Sequence, residues 1–415
     1  DEGPTSSSWA HHRKHFFILS SAGKPIYSRY GDEGRLSSFT GLIQAIMSFF
    51  VDDDDSVRCI NAGIHRFVFS TQGPLYLLAI SSSGESENQL RTQLHHLHTQ
   101  ILTILTSAQL TRIFKTRGNY DLRNLLSGTE HHLTNLTRAF PTDAGLALSS
   151  VLCLPVPGRV RALVTGALGG GGGGGQGLVG LVFGLMIAKG RLVALVRPKR
   201  FSLHPDDYHH LTNTLTSSPS AYKSGDTWTP ICLPRFNPNA FLHAYVSFLT
   251  PEVCVVCVGT DKEGFWVGRG WREGVGEELE NNGALAAIDT AVKAVPYSIV
   301  EAGIPVLRHF ICVASTLGQY TEPAPAPPYT NPADWKRLLK TYHRAAEVMR
   351  RKGSGDTDAQ TLFLASATEA VVCCQRTPPY DIYAAFGPLV AKPAAMEALS
   401  ALVKWIKGNH ERLFV

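Results

Sequence analysis

Two hydrophobic rhythms alternate along this chain, and they recur in the same order three times. Residues 16–19 are apolar, Gly23 interrupts them, and Pro25, Ile26 and Tyr27 resume, which reads as strand, turn, strand. Residues 181–187, Lys189-Gly190 and residues 192–196 repeat the pattern; residues 306–314, Gly318 and Tyr320 repeat it less cleanly. Each hairpin leads into a helical stretch, further strands and a closing helix. In the first repeat Phe39, Leu42, Ile43, Ile46, Met47 and Phe50 fall at helical spacing over residues 36–50. Strand-like runs follow at 57–60, 66–69 and 75–80. Leu90, Leu94, Leu97, Ile101 and Leu105 then stripe a long helix over 87–106. Shorter helices are expected at 110–114 and 122–126. The predicted class is α+β, with one sheet-and-helix domain used three times.

Breaks in the pattern divide the chain. Gly169 to Gly175 is an unbroken glycine run that cannot hold regular structure cheaply, so it reads as a flexible linker or shortened loop. Its uniformity is that of an engineered replacement or of a native low-complexity tract. Pro323, Pro325, Pro327, Pro328 and Pro332 form a second break, and residues 295–305 a weaker third. The expected boundaries are 1–145 for the first domain, 146–176 for a linker holding the glycine run, 177–298 for the second domain and 299–415 for the third. Residues 1–10 resemble neither a signal peptide nor a methionine start, so a longer parent chain is expected.

Composition adds one point. Charged residues are 18% of the 415, against about 25% in ordinary soluble proteins. A surface so poor in charge is expected to meet partners. The net charge of +5 is too mild to argue for nucleic acid but suits an anionic membrane surface. No uncharged apolar run reaches the roughly 18 residues of a membrane span. Eight scattered cysteines, mostly in apolar strand-like runs, read as reduced, buried and cytosolic.

The segment 36–51 carries no charged residue across about four helical turns. Phe39, Leu42, Ile43, Ile46 and Phe50 can cover the domain's own sheet, leaving Leu36, Ala45 and Phe49 on a flank among Ser, Thr, Gly and Gln. Burial of that flank by another chain or domain explains the missing charge; a helix enclosed within one larger domain is the alternative. Asp52-Asp53-Asp54-Asp55 follows at once and opposes the helix dipole. It is a solvated turn, or an acidic site facing a basic partner segment.

Motifs for catalysis fail one by one. The glycine run lacks the Lys-Ser or Lys-Thr of a phosphate loop, and Gly268-Arg269-Gly270-Trp271-Arg272-Glu273 lacks the third glycine of a dinucleotide fingerprint. Cys254 and Cys257 sit three apart on a β-branched run, so they point to opposite faces of a strand and cannot readily share a metal. The histidine groups at 11–15 and 95–98 lack zinc-hydrolase spacing, and Gly353-Ser354-Gly355 follows no apolar strand. No metal, no cofactor and no substrate chemistry are expected.

Longer strings stand out: residues 15–31, Gly41-Leu42-Ile43-Gln44-Ala45-Ile46, Asn119-Tyr120-Asp121-Leu122-Arg123, Leu126-Ser127-Gly128, Leu195-Val196-Arg197-Pro198-Lys199, Leu203-His204-Pro205-Asp206-Asp207, and residues 228–234 with Phe236-Asn237-Pro238. Together they resemble a known family, the Mon-one vacuolar fusion proteins. The resemblance implies three longin-like domains, each a five-stranded antiparallel sheet flanked by helices. It also implies one subunit of a heterodimeric guanine nucleotide exchange factor, with a Ccz-one-type longin partner, acting on a late-endosomal or vacuolar Rab GTPase. The alternative is a non-catalytic scaffold that tethers a partner and a membrane. The implied location is cytoplasmic, peripheral on late endosome, vacuole or lysosome, and autophagosome membranes. Within that frame Leu36, Ser38, Phe39, Leu42, Ala45, Asp52 and Asp53 are the candidate GTPase contacts. Phe49, Val57, Arg58, Cys59, Ile60 and Asn61 are candidate partner contacts, through an edge strand. Arg197, Lys199, Arg200, Arg350, Arg351 and Lys352 are candidate contacts to an anionic phosphoinositide-containing membrane.

Overall fold

A computed structural model describes residues 7–31, 36–52, 57–170, 180–352, 361–365 and 371–415. It divides into two units, residues 1–140 with 232–240 and residues 141–231 with 241–415.

The first unit is one sheet with a helix on each face. Strands β1 (Lys14–Ser20) and β2 (Pro25–Ser28) form the opening hairpin, and β3 (Cys59–Ala62), β4 (His65–Gln72) and β5 (Leu75–Ser81) form the meander. The order is β2-β1-β5-β4-β3, antiparallel throughout, which leaves β3 on an edge. Strict alternation along β1 sends Phe17 and Leu19 into a core with Ile43, Met47, Phe69 and Leu78. Helix α1 (Ser37–Asp52) covers that face. Helix α2 (Glu87–Ile104) buries Leu90, Leu94, Leu97 and Ile101. It starts on a capping box: Ser86 Oγ accepts from Gln89 N at 3.1 Å, and Gln89 Oε1 accepts from Ser86 N at 3.0 Å. Residues 232–240 belong to this unit although they lie between strands of the second repeat. Cys232 N donates to Thr103 O at 3.1 Å and Ser107 N donates to Pro238 O at 2.8 Å.

In the second unit a short helix, Ala144–Leu148, precedes β6 (Val151–Leu152) and α3 (Gly158–Gly170). Then come β7 (Leu181–Ala188), β8 (Arg191–Val196), α4 (Pro205–Ser217), α5 (Pro219–Lys223), β9 (Thr227–Ile231), β10 (Leu242–Thr250) and β11 (Val253–Gly259). Their sheet, β8-β7-β11-β10-β9, repeats the topology of the first. Helices α6 (Phe265–Asn281) and α7 (Ala284–Lys293) follow, and α6 packs with α3 on one face of the sheet. Gly268 lets α6 approach closely, since a Cβ there would sit 2.8 Å from the Tyr245 ring. The third repeat comprises β12 (Leu307–Ala314), β13 (Gln319–Thr321), α8 (Pro332–Lys352), β14 (Thr361–Ala365), β15 (Val371–Thr377), β16 (Tyr380–Phe386) and α9 (Lys392–Gly408).

Two expectations need correction. The third sheet has six strands, β14-β15-β16-β12-β13-β6, because Val151 and Leu152 add to β13 in parallel register and cover what would be an exposed edge. The stretch 146–176 is not a plain linker. It contains α3, whose Val160, Val164, Ala167 and Leu168 enter the second repeat's core. Arg161 on α3 is buried and donates to four carbonyls: Val193 O on β8, Leu154 O at 3.0 Å, and Glu411 O and Arg412 O at 3.3 and 3.1 Å. One guanidinium thus joins the second sheet to the C-terminal segment. Residues 171–175 of the glycine run lie outside the described residues.

Glu322, just after β13, makes stability depend on pH. Burial, with Asp143 nearby, pushes its carboxyl up to about 8, and its Oε2 has no hydrogen-bond partner. The folded chain therefore holds a proton that the unfolded chain releases between pH 4.5 and about 8. Stability falls as pH rises through that window and is flat above it. Glu322→Gln should flatten the slope and stabilise the protein by about 2 kcal/mol at pH 8, against a bound of roughly 4–5 kcal/mol at 1.36 per pH unit. Thermal melts of both proteins from pH 5 to 9 check this; parallel curves would contradict it.

Candidate interaction site

The site is built from α1 and the edge strand β3. Leu36 precedes α1 and its carbonyl accepts from Thr40 N at 2.8 Å, so the residue is pinned at the helix start and fully buried. Thr40, Ile43 and Met47 continue that buried line at helical spacing. Leu42 is 56% exposed and Phe49 67%, and Ser38, Gly41 and Ala45 are exposed beside them. Positions 38, 42, 45 and 49 thus form one outward stripe of small and apolar residues.

This reverses part of the expected assignment. Leu36 is a core residue and not a flank; Leu42 is a surface residue and not core. Phe39 is half-buried and packs against the core cluster, with its ring 5.1 Å from that of Phe17. The β1–β2 turn braces the other side of the helix. Gly23, at φ 78°, lies so close to Gln44 that a Cβ would overlap its amide, and Gln44 Nε2 donates to Ser21 O at 3.5 Å.

At the edge, Arg58, Ile60 and Asn61 are exposed and Cys59 is half-buried, whereas Val57 packs on the core. Arg66 on β4 holds the strand by donating from Nε to Asn61 Oδ1 at 2.9 Å. Ile64 in the β3–β4 turn is 78% exposed and adds an apolar group that the strand pattern passed over. Its signal was an isoleucine directly after Gly63, where turns ordinarily carry polar residues. Asp52 ends α1, and Asp53 lies outside the described residues.

The basic candidates divide. Arg197, Lys199 and Arg200 follow β8 and are exposed; Arg197 donates to Phe201 O, and the Arg200 guanidinium stands 4.7 Å over the Phe201 ring. Arg350 donates to Ala147 O at 2.9 Å, while the side chains of Arg351 and Lys352 lie outside the description. Cys254 and Cys257 face opposite sides of β11, and burial pushes both thiols up to about 12. Among the described residues no group of three or more His, Cys, Asp or Glu could hold a metal, and no helix is long and apolar enough to cross a membrane.

Three family models match the chain in order. They are the first, second and third longin domains of FUZ, MON1 and HPS1, at residues 14–136, 179–273 and 306–410. The vacuolar fusion protein MON1 homolog A of Macaca fascicularis is 37% identical over 417 residues, covering 100% of this chain and 73% of its own. The human homolog A is also 37% identical, with 62% of its length covered. The vacuolar fusion protein MON1 of Cryptococcus neoformans is 36% identical over 96% of this chain and 64% of its own.

Proposed function

The chain belongs to the three-longin family of MON1 vacuolar fusion proteins, and from that premise we propose that it works in vacuole and lysosome fusion and endosome maturation as half of an exchange factor. Its partner would be a Ccz-one-type longin subunit and its target a late-endosomal or vacuolar Rab GTPase. The carrying observations are the uncharged outward stripe of α1, with Leu42 and Phe49 exposed, and the edge position of β3 in the same unit. Apolar surface of this kind favours coverage by another protein.

Exchange needs no acid, base or metal from the factor. A surface that binds the nucleotide-free GTPase more tightly than the loaded form must, by linkage, weaken nucleotide affinity by the same factor. Drawing a switch loop onto the stripe of Ser38, Leu42 and Ala45 would be the structural means. Small side chains at 38, 41 and 45 let a partner backbone approach closely. The experiment is retention of the GTPase on immobilised heterodimer. Nucleotide-free GTPase should be retained and GDP-loaded GTPase washed away; equal retention would contradict the reading.

Strand β3 is the proposed joint with the partner, by edge-to-edge sheet extension. Phe49→Asp with Ile60→Lys should lower partner affinity about a hundredfold, about 2.7 kcal/mol, without changing the melting temperature of the isolated chain. Analytical ultracentrifugation of mixtures checks this. Membrane contact is assigned to Arg197, Lys199 and Arg200. Reversing all three to Glu should abolish flotation with phosphoinositide-containing vesicles while exchange in solution persists.

A further inference from the structure

A cavity of about 210 Å³ opens in the second repeat, between α4, α5 and the sheet. Ile187, Leu215, Phe248, Pro251 and Cys254 form its walls. Thr212 and Thr216 also line it, but their hydroxyls donate back to the helix, Thr212 Oγ1 to Tyr208 O at 2.9 Å and Thr216 Oγ1 to Thr212 O at 2.8 Å. The backbone at the mouth is engaged as well. Tyr208 Oη donates to Gly190 O at 3.2 Å and Lys189 N donates to Glu252 O at 2.8 Å. The walls are therefore methyls, a phenyl ring and a neutral thiol, with no threonine hydroxyl proton free to donate to a ligand.

The rim is different. Lys189, Lys223 and Glu252 stand there, two ammonium groups against one carboxylate. Lys223 Nζ lies 3.9 Å from Glu252 Oε1 and 5.4 Å over the Phe248 ring, while Lys189 makes no ion pair among the described residues. The cavity is smaller than the roughly 300–1,000 Å³ of pockets for drug-sized ligands. It exceeds the roughly 150 Å³ of an apolar cavity that stays dry and takes up benzene. That size admits one slim hydrocarbon chain.

We propose that this cleft binds a free fatty-acid anion, its alkyl end between α4 and the sheet and its carboxylate at Lys189 and Lys223. The cleft belongs to the second unit, whereas α1 and β3 belong to the first, and it does not depend on the exchange reading. Its occupancy would tie the second repeat to the supply of acyl chains.

The test is calorimetric titration of the whole chain with laurate and with 1-dodecanol. Laurate should bind, and dodecanol should bind about tenfold more weakly for want of the charge contact. Thr216 is exposed at the mouth, so Thr216→Trp should block entry of both ligands without disturbing the core; Leu215→Trp fills the cavity from within. Lys189 has a left-handed φ of 49°, which asparagine adopts readily, so Lys189→Asn removes the charge without backbone strain. That variant should weaken laurate by about threefold to tenfold and leave dodecanol unchanged. Absence of laurate binding, or binding that both tryptophan variants leave intact, would overturn the proposal. Displacement of laurate by phosphatidic-acid vesicles, but not by free oleate, would overturn the assignment to a free acid.

Discussion

Ser38→Arg or Leu42→Asp, made in the assembled heterodimer, should slow guanine nucleotide release from the GTPase at least about tenfold, a coupling loss of about 1.4 kcal/mol. Both side chains point away from the core, so partner binding and melting temperature should stay at wild-type values. Leu36→Asp is the control of opposite kind. It places a carboxylate where a fully buried leucine stands and should unfold the first unit, taking every activity with it. Circular dichroism melts beside the release assay separate the two outcomes. Wild-type exchange from both surface variants would move the GTPase contact off α1.

Arg161→Ala should be the most damaging single change in the second unit. Four carbonyls on β8, on the entry to α3 and in the C-terminal segment share this one side chain. Its removal takes that donor from all four, Arg412 O keeping Val156 N at 3.2 Å, at a cost of about 3–5 kcal/mol. For a domain pair of this size that is a drop of about 10 °C in melting temperature. Lysine should not rescue it, because a single ammonium cannot reproduce the planar fork. Trp271 gives a local readout, since its indole Nε1 donates to Leu168 O at 3.1 Å across the same core. A melt within about 1 °C of wild type would contradict the account.

The threefold architecture was legible because each opening hairpin carries its own turn signal, Gly23, Lys189-Gly190 and Gly318, between apolar runs. The edge position of β3 was legible from its shortness. Helix α3 was not, although Val160, Val164 and Leu168 stand at helical spacing, because Gly158, Gly166 and the glycine run read as loop. Strand β6 has two residues, too few for any alternation to show. The outward face of α1 was only half legible. Without charged residues to mark the solvent side, Leu36 and Leu42 were distinguishable only through their neighbours. Leu36 is in phase with Thr40, Ile43 and Met47, and Leu42 with Ser38, Ala45 and Phe49. Counting apolar residues put both on the wrong side; phase assigns them correctly.

An exchange role for the chain rests on one claim, that the α1 stripe acts on a GTPase. The direct measurement is release of a fluorescent guanine nucleotide from the loaded GTPase, followed with buffer, with this chain alone, with the wild-type heterodimer and with the Ser38→Arg heterodimer. The account predicts acceleration by the wild-type heterodimer and a rate near the buffer control for Ser38→Arg at equal partner assembly. Release at the spontaneous rate with the intact wild-type heterodimer would contradict it and leave the chain a scaffold.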